Sequence, residues 1–388
     1  MELSSLEPLP ILVFSNLVMV AFLLLLGRKG LKEPYTLRPW RRYLMILISL
    51  VFCLFSFWGT DWFHYAEMYF NILYVNGFNT SLENVYCLIA EISPNYLVFR
   101  AIIWGGALYL LCWLFKRCSI RADLALCIFC GIWLIYFGYG RVVMAYSLMF
   151  LGGSIIMKPV RGKILLSLML GGLLIVLSAF FHKTAFFGIA MVILALFPRL
   201  LNKRTFALVM MIYPFVILLV QLLLMQFMDT ALDSNERNTS TAAGQHYLSE
   251  DAPEVGLTYL VYLILEFTPY YLTTWIAYKA NVFQPEEEVD DQTSNQEEVP
   301  ADIRFFARLL VYIVLVSTIF LFDLGANTLT VYTRFMMFGF IPACVVLAWA
   351  WQNRFFPRMV RFAYVIGLAG TGYALAYSFY LAYIGVAA

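Results

Sequence analysis

Six ionisable side chains lie at or just beyond the ends of long apolar runs in this sequence. They are Asp61, Arg100, Arg141, His182, Asp323 and Arg334. Ionisable groups at membrane depth are costly, and they commonly mark functional sites. Their position at the ends of apolar runs therefore predicts a polar site at one end of a helix bundle.

The three arginines at these run ends predict the binding of an anion. A guanidinium group stays protonated and offers five N–H donors in a planar fork. Arg100, Arg141 and Arg334 at one level would form a basic cluster that holds a diphosphate through bidentate contacts. The same cluster would stabilise a diphosphate leaving group, because negative charge grows there in the transition state. The alternative for Arg141 is a buried ion pair with Asp61 or Asp323.

The segment after the second apolar run combines carboxylates with phenols. If it is helical, the spacing of four residues places Asp61, Tyr65 and Tyr69 on one face. This combination suits a sugar, which offers hydroxyl groups and an apolar ring face. The alternative for the aromatic residues is a belt at the lipid headgroups. Glu83 follows in the same segment and is a further candidate for substrate binding.

Candidate bases and further substrate ligands lie at two other run ends. His182 is flanked by phenylalanines and could act as a base or donate to a phosphate, or simply end a helix. Asp61 is our first candidate for a general base or for binding a substrate hydroxyl, and His182 is the second. Lys183, Asp323 and Tyr332 lie beside these groups and are predicted to bind substrate.

The composition predicts an integral membrane protein that is entirely helical. Of 388 residues, 62% are hydrophobic and 13% are charged, whereas soluble domains are about a quarter charged. Backbone groups in lipid must pair within a segment, which requires helices for runs of this length. About twelve spans are predicted, at 9–26, 43–60, 99–115, 123–139, 142–157, 164–181, 184–197, 205–227, 256–278, 305–322, 333–351 and 360–384.

The basic residues predict the orientation of these spans. Of the 26 lysines and arginines, 21 fall in alternate loops, and cytoplasmic loops are those enriched in basic residues. The six ionisable run-end residues then face the outer side. A single membrane domain over 1–388 is predicted, with outer segments at 61–98 and 228–255. Residues 284–300 contain seven acids and no base, and they predict a disordered cytoplasmic loop.

Neither a metal nor an organic cofactor is expected. Cys127 and Cys130 have CxxC spacing but lie within an apolar run, where cysteine is usually a small core residue. A net charge of +2 gives no indication of nucleic-acid binding. The first apolar run lacks a basic segment before it, so it is interpreted as a span rather than a cleaved leader.

Five short motifs follow one another along the chain. They are Gly59-Thr60-Asp61 with Tyr65 and Tyr69, Glu83 with Tyr86, Arg141 with Ala145, His182 with Thr184, and Tyr332-Thr333-Arg334. Their order resembles that of the EpsG-like family, relatives of the Wzy polymerases that join lipid-linked repeat units in bacteria. The resemblance covers most of residues 43–350. The chain departs from it at Trp62, where tyrosine is common, and in the acidic insert.

The resemblance implies an enzyme with a GT-C-like helical bundle in the bacterial inner membrane. Such an enzyme transfers a glycan from a polyprenyl-diphosphate-linked oligosaccharide donor to a hydroxyl of a lipid-linked acceptor repeat unit, on the periplasmic side. The product would be an O-antigen, capsule or exopolysaccharide. Membrane lipid, a chain-length regulator and a flippase are the implied partners, and no metal is expected.

Three other functions fit parts of the same pattern. A flippase or transporter of the lipid-linked glycan would also need a basic interior, although the sequence has no visible internal repeat. A glycan ligase would use the same chemistry to move finished chains to another lipid. A membrane O-acyltransferase would require a histidine deep in a bundle with a channel from the cytoplasm, and the sequence offers no second polar site of that kind.

Overall fold

The computed structural model describes residues 84–133, 139–182, 184–197, 257–280, 299–318 and 332–387, with Tyr69, Tyr136, Ile212 and 282–283. All regular elements in this part of the chain are helical, which confirms the predicted all-α class. Four of its helices are long and apolar enough to cross a membrane. The predicted spans 9–26 and 43–60, all of 205–227 except Ile212, the outer segment 228–255 and residues 284–298 lie outside the described residues.

Ten helices follow one another in the described residues. They are α1 (Asn84–Ile92), α2 (Tyr96–Arg117), α3 (Ala122–Ile132), α4 (Gly140–Met157), α5 (Ile164–Phe181), α6 (Ala185–Leu196), α7 (Leu257–Lys279), α8 (Ala301–Thr318), α9 (Tyr332–Gln352) and α10 (Pro357–Ala387). Helices α2 to α10 coincide with nine of the predicted spans. The helix α1 was not predicted, and it lies within the segment 61–98.

Two helix boundaries differ from the predicted spans for local reasons. The helix α2 begins at Tyr96 rather than near 99, because the Asn95 side chain caps it by accepting from the Val98 amide at 2.9 Å. Arg100 therefore lies in the second turn of the helix rather than at its start. The helix α3 ends at Ile132 rather than near 139, because Trp133 leaves the helical conformation.

The short connections place the predicted site residues at one end of the bundle. The chain reverses after α2, α3, α4 and α5, so α2, α4 and α6 all begin at the same end. Phe187 near the start of α6 contacts Phe335 near the start of α9, with ring centroids 5.6 Å apart. We call this end the upper end and the opposite one the lower end. Arg100, Arg141, His182 and Arg334 are all at the upper end.

Helices α4 and α9 form the centre of the bundle. Nearly every residue of α4 from Val142 to Ile155 is buried, as is every residue of α9 from Phe338 to Trp351. The helix α5 covers α4 on one side and exposes a row of apolar side chains on the other, including Leu165, Met169 and Leu173. An exposed apolar row on a helix of this length is suited to contact with lipid tails.

Polar contacts connect the basic loops at the lower end. The Arg117 guanidinium donates to the carbonyl oxygens of Ser154 and Lys158, at 3.3 and 2.5 Å. The Arg121 guanidinium pairs with the buried Asp123 carboxylate at 2.7 Å. The Arg117 contacts satisfy carbonyls at the end of α4, and the Arg121 pair lies at the start of α3.

Substitution of Gly171 in α5 is expected to destabilise the bundle. A Cβ at Gly171 would lie 2.7 Å from the Gly152 carbonyl oxygen of α4, so backbone meets backbone at this contact. Gly171→Val should lower the free energy of unfolding by about 1–3 kcal/mol, the usual range for overpacking, because the backbone cannot move aside as a side chain can. Thermal unfolding of the purified protein in detergent measures this loss of stability. Gly172→Val is the control, since nothing lies within 4 Å of a Cβ there, and an equal loss in both variants would contradict the close contact.

Candidate functional site

Arg100 lies in the upper part of α2 against two aromatic rings. Its guanidinium carbon is 4.8 Å from the centroid of the Trp104 ring and 5.8 Å from that of Tyr96. The side chain is only 4% exposed. The helix widens into a π-helical turn over Ala101–Gly105, directly after Arg100. Single π-helical turns are often found at functional sites, because they redirect side chains within a helix.

Arg141 lies in the first turn of α4, next to the neighbourhood of Arg100. Its guanidinium carbon is 5.3 Å from the centroid of the Tyr86 ring. The preceding residue, Gly140, has its backbone against Trp104, the ring that Arg100 also contacts. Cation–π contacts of this kind hold a guanidinium in a defined place. The structure therefore brings Arg100 and Arg141 together on one side of α4.

Tyr69 completes the aromatic surroundings of these two arginines. Its ring lies 5.3 Å from that of Tyr96 and 5.2 Å from that of Phe99. Its hydroxyl donates to the Ser93 carbonyl oxygen at 3.1 Å, and the side chain is 2% exposed. This hydroxyl thus holds the segment between α1 and α2. Substrate binding by Tyr69 stays a prediction.

His182 ends α5 at the upper end, in a tight reversal of the chain. Its backbone is extended, its N–H donates to the Ser178 carbonyl, and its carbonyl accepts from the Ala185 amide at 2.9 Å. Two residues later, the Thr184 hydroxyl oxygen lies 3.1 Å from the Tyr146 hydroxyl oxygen of α4. The reversal is therefore held against α4 at Thr184, two residues after His182.

Arg334 reaches the same place from α9. Its guanidinium interacts electrostatically with the Tyr146 phenol, and Phe338 stacks on the Tyr146 ring with centroids 4.4 Å apart. Arg334 is an exposed side chain, whereas Tyr146 is 2% exposed. Helical spacing sets Arg141 and Tyr146 about 140° apart around α4. Arg334 and Arg141 therefore approach the upper end from different sides of this helix.

Tyr332 is turned toward α7 rather than toward solvent. Its hydroxyl oxygen lies 3.4 Å from that of Tyr271, and its ring is 4.8 Å from that of Phe267. The side chain is 2% exposed. These contacts anchor the start of α9 and thereby the position of Arg334. Direct contact of Tyr332 with substrate stays a prediction.

Comparison with known families gives the bundle an identity. The sequence profile of the EpsG family matches residues 40–384. The chain belongs to the EpsG family. This is a family of Wzy-like polymerases, so membership indicates a polymerase of the exopolysaccharide type that acts on lipid-linked sugars in a membrane. No curated protein and no solved structure matches the chain.

The EpsG match spans predicted site residues that the structure does not describe. Asp61, Tyr65, Glu83, Lys183 and Asp323 lie outside the described residues. Their roles stay predictions, as does the alternative that Arg141 pairs with one of the two aspartates.

Two buried polar groups of this EpsG protein were not predicted from its sequence. Tyr146 gave no signal, because a single tyrosine in an apolar run is ordinary. Glu266 did give one, because it is an acid in the middle of the predicted span 256–278. It is 7% exposed. It lies in the middle of α7, unlike the six run-end residues that the sequence singled out.

No group of three histidine, cysteine, aspartate or glutamate side chains that could hold a metal ion occurs within the described residues. Cys127 and Cys130 are buried in α3. Arg100, Arg141 and Arg334 lie at the upper end of this EpsG structure, and their charges suit an anionic ligand.

Proposed function

We propose that this EpsG protein is a polymerase that uses a polyprenyl-diphosphate-linked oligosaccharide as glycan donor. The observation that carries the proposal is that Arg141 and Arg334 lie in the first turns of α4 and α9, both at the upper end, in a member of a Wzy-like polymerase family. The acceptor is a hydroxyl of a lipid-linked repeat unit. The bond between the anomeric carbon and the phosphate oxygen breaks, and a glycosidic bond forms.

The arginines would bind the diphosphate and stabilise it as it leaves. Arg334 is exposed at the start of α9, and Arg141 is held over the Tyr86 ring at the start of α4. Negative charge grows on the departing diphosphate, and preorganised donors stabilise that charge. The positive ends of the α4 and α9 dipoles also point to the upper end and add to this field. Arg100 is buried and would assist through its charge. We therefore propose that the reaction needs no metal.

The acceptor hydroxyl must lose its proton when the new bond forms. Asp61 is the proposed first candidate for the base that receives this proton, and His182 is the second. The His182 side chain is half-buried at the upper end, two residues before Thr184, whose hydroxyl contacts that of Tyr146. Tyr65, Tyr69 and Glu83 are the proposed contacts for the glycan. Lys183, Asp323 and Tyr332 are the proposed contacts around the donor.

The remaining parts of the proposal concern the setting of the enzyme. The upper end faces the periplasm of a bacterial inner membrane, because the basic loops lie at the lower end. The full bundle has about twelve spans in a single GT-C-like domain, and the acidic loop lies in the cytoplasm. The lipid tail of the donor lies along exposed apolar faces such as that of α5. A flippase that supplies the units and a chain-length regulator are the proposed partners.

Deletion of the gene is expected to leave single lipid-linked repeat units on the outer side of the membrane. Units can still be made and exported, but they cannot be joined. Extraction of lipid-linked glycans from spheroplasts, with and without external glycosidase, measures both length and side. The control is the same strain carrying the intact gene. Units retained inside would instead indicate a flippase, long unligated chains a ligase, and chains of normal length that lack acyl groups an O-acyltransferase.

A further inference from the structure

The helix α7 carries a buried carboxyl group that none of the proposed steps uses. Glu266 is the tenth residue of a helix of 23 residues, and it is 7% exposed. The Tyr136 hydroxyl donates to its Oε1 at 2.6 Å, and the Tyr270 hydroxyl donates to Tyr136 at 3.3 Å. A carboxyl in an apolar bundle is costly unless it is hydrogen-bonded, so its retention requires a reason.

One side of this group connects to the segment that carries Arg141. Tyr136 lies in the connection between α3 and α4, five residues before Arg141. Its carbonyl accepts from the Tyr139 amide at 3.0 Å, and the Tyr139 carbonyl accepts from the Val143 amide at 3.0 Å. The hydrogen bond to Glu266 thus fixes a connection that continues, through two backbone bonds, into the first turn of α4.

The other side connects to the segment that carries Arg334. Phe267 follows Glu266 in the chain and contacts the Tyr332 ring at 4.8 Å, two residues before Arg334. Tyr271, just over one turn further, lies 3.4 Å from Tyr332 through the two hydroxyl oxygens. The start of α9 is therefore seated on the stretch of α7 that begins at Glu266.

Two glycines make the surroundings of Glu266 close-packed. A Cβ at Gly370 of α10 would lie 3.1 Å from the Glu266 amide nitrogen, and a Cβ at Gly339 of α9 would lie 2.8 Å from the Tyr270 ring. Close contact on both sides leaves this part of α7 little freedom to shift. A change in the Glu266 hydrogen bond would therefore shift both neighbouring segments.

We propose that Glu266 is a positioning residue that sets Arg141 and Arg334 at the spacing a diphosphate requires. It acts on Arg141 through the Tyr136 hydrogen bond and on Arg334 through the contacts of α7 with Tyr332. The part that concerns the diphosphate rests on the proposed function. Because a displacement of about 1 Å can cost about a hundredfold in a positioned contact, a small shift of either segment would weaken diphosphate recognition.

Binding of two short lipid phosphates to the purified full chain in nanodiscs tests the proposal. The probes are farnesyl diphosphate and farnesyl monophosphate, and the readout is the ratio of their dissociation constants. Glu266→Leu should reduce the preference for the diphosphate by about tenfold or more. Glu266→Gln should keep it within about threefold, because the amide oxygen still accepts from Tyr136. A residue that only stabilises the bundle would weaken both probes alike.

Hydrogen–deuterium exchange of the same proteins, without any probe, tests the connection itself. Glu266→Leu should raise exchange in residues 136–146 and 332–340. Tyr136→Phe is the substitute variant if Glu266→Leu does not fold. It should raise exchange in residues 136–146 and lower the preference for the diphosphate probe. The control is Thr273→Val, which removes a buried hydroxyl of α7 that donates to the Pro269 carbonyl of its own helix.

The outcomes separate this proposal from the proposed function. Loss of the diphosphate preference with raised exchange in both segments supports positioning, and unchanged exchange overturns it. A preserved preference in Glu266→Leu overturns it as well. If the wild-type protein shows no preference for the diphosphate, the proposed diphosphate site is wrong. Hydrogen–deuterium exchange is then the deciding measurement. Raised exchange in both segments for Glu266→Leu, but not for Thr273→Val, still supports the connection of Glu266 to these segments.

Discussion

Arg141→Lys and Arg334→Lys are each expected to lower polymer formation by about 10²–10³ in rate, the cost of losing one preorganised donor to a developing anion. Lysine keeps the charge but loses the planar fork that contacts two phosphate oxygens at once. For Arg141 it also loses the stacking of the guanidinium over Tyr86. Polymer ladders on gels measure chain length and yield, and immunoblots of membranes confirm that the variants insert.

Arg361→Lys is the matched control for this loss. Its guanidinium lies 5.3 Å from the centroid of the Trp351 ring, the same kind of contact that Arg141 makes, but it belongs to the lower end. Its ladder should therefore remain close to normal.

Near-normal ladders from both Arg141→Lys and Arg334→Lys would contradict the diphosphate site. Such tolerance would favour ion pairs with Asp61 or Asp323, because a lysine can also pair with a carboxylate. If Arg141 pairs with Asp61, the double variant Asp61→Arg/Arg141→Asp should form polymer that the two single variants do not form. A diphosphate site predicts no polymer from that double variant.

Gly140→Ala is expected to reduce polymer formation by about tenfold or more while the protein still inserts. A Cβ at this position would overlap the indole ring of Trp104. Trp104 also supports the Arg100 guanidinium, and Gly140 directly precedes Arg141. One added methyl group therefore displaces the surroundings of both arginines, although it removes no polar group.

The comparison for this variant is Gly106→Ala, which lies in α2 two residues after Trp104. A Cβ there would lie 3.4 Å from the terminal methyl of Met144, which can move aside at little cost. Polymer ladders and the thermal unfolding of both purified proteins should be measured. If both variants have normal ladders, the contact of Gly140 with Trp104 does not control the arginines.

The amino-acid sequence by itself determined the class of the protein and the end of the bundle at which its charges meet. Long apolar runs leave backbone groups no partner except those within a helix, so their helical state was predictable. The runs also alternate in direction, and this alone puts Arg100, Arg141 and His182 at one end. The start of α2 at the cap of Asn95 was not predicted, because the apolar run alone placed it near 99.

Only the tertiary structure decided which side chains face one another at that end. Tyr136 and Glu266 are 130 residues apart, and Tyr146 and Thr184 are 38 apart. Helices such as α4 are buried around most of their circumference, so no amphipathic stripe indicates which face meets which neighbour. The pairing is set instead by shape, where a glycine admits a ring or a backbone, as Gly140 admits Trp104. Such long-range interdigitation of side chains is a property of the packed bundle rather than of any local segment.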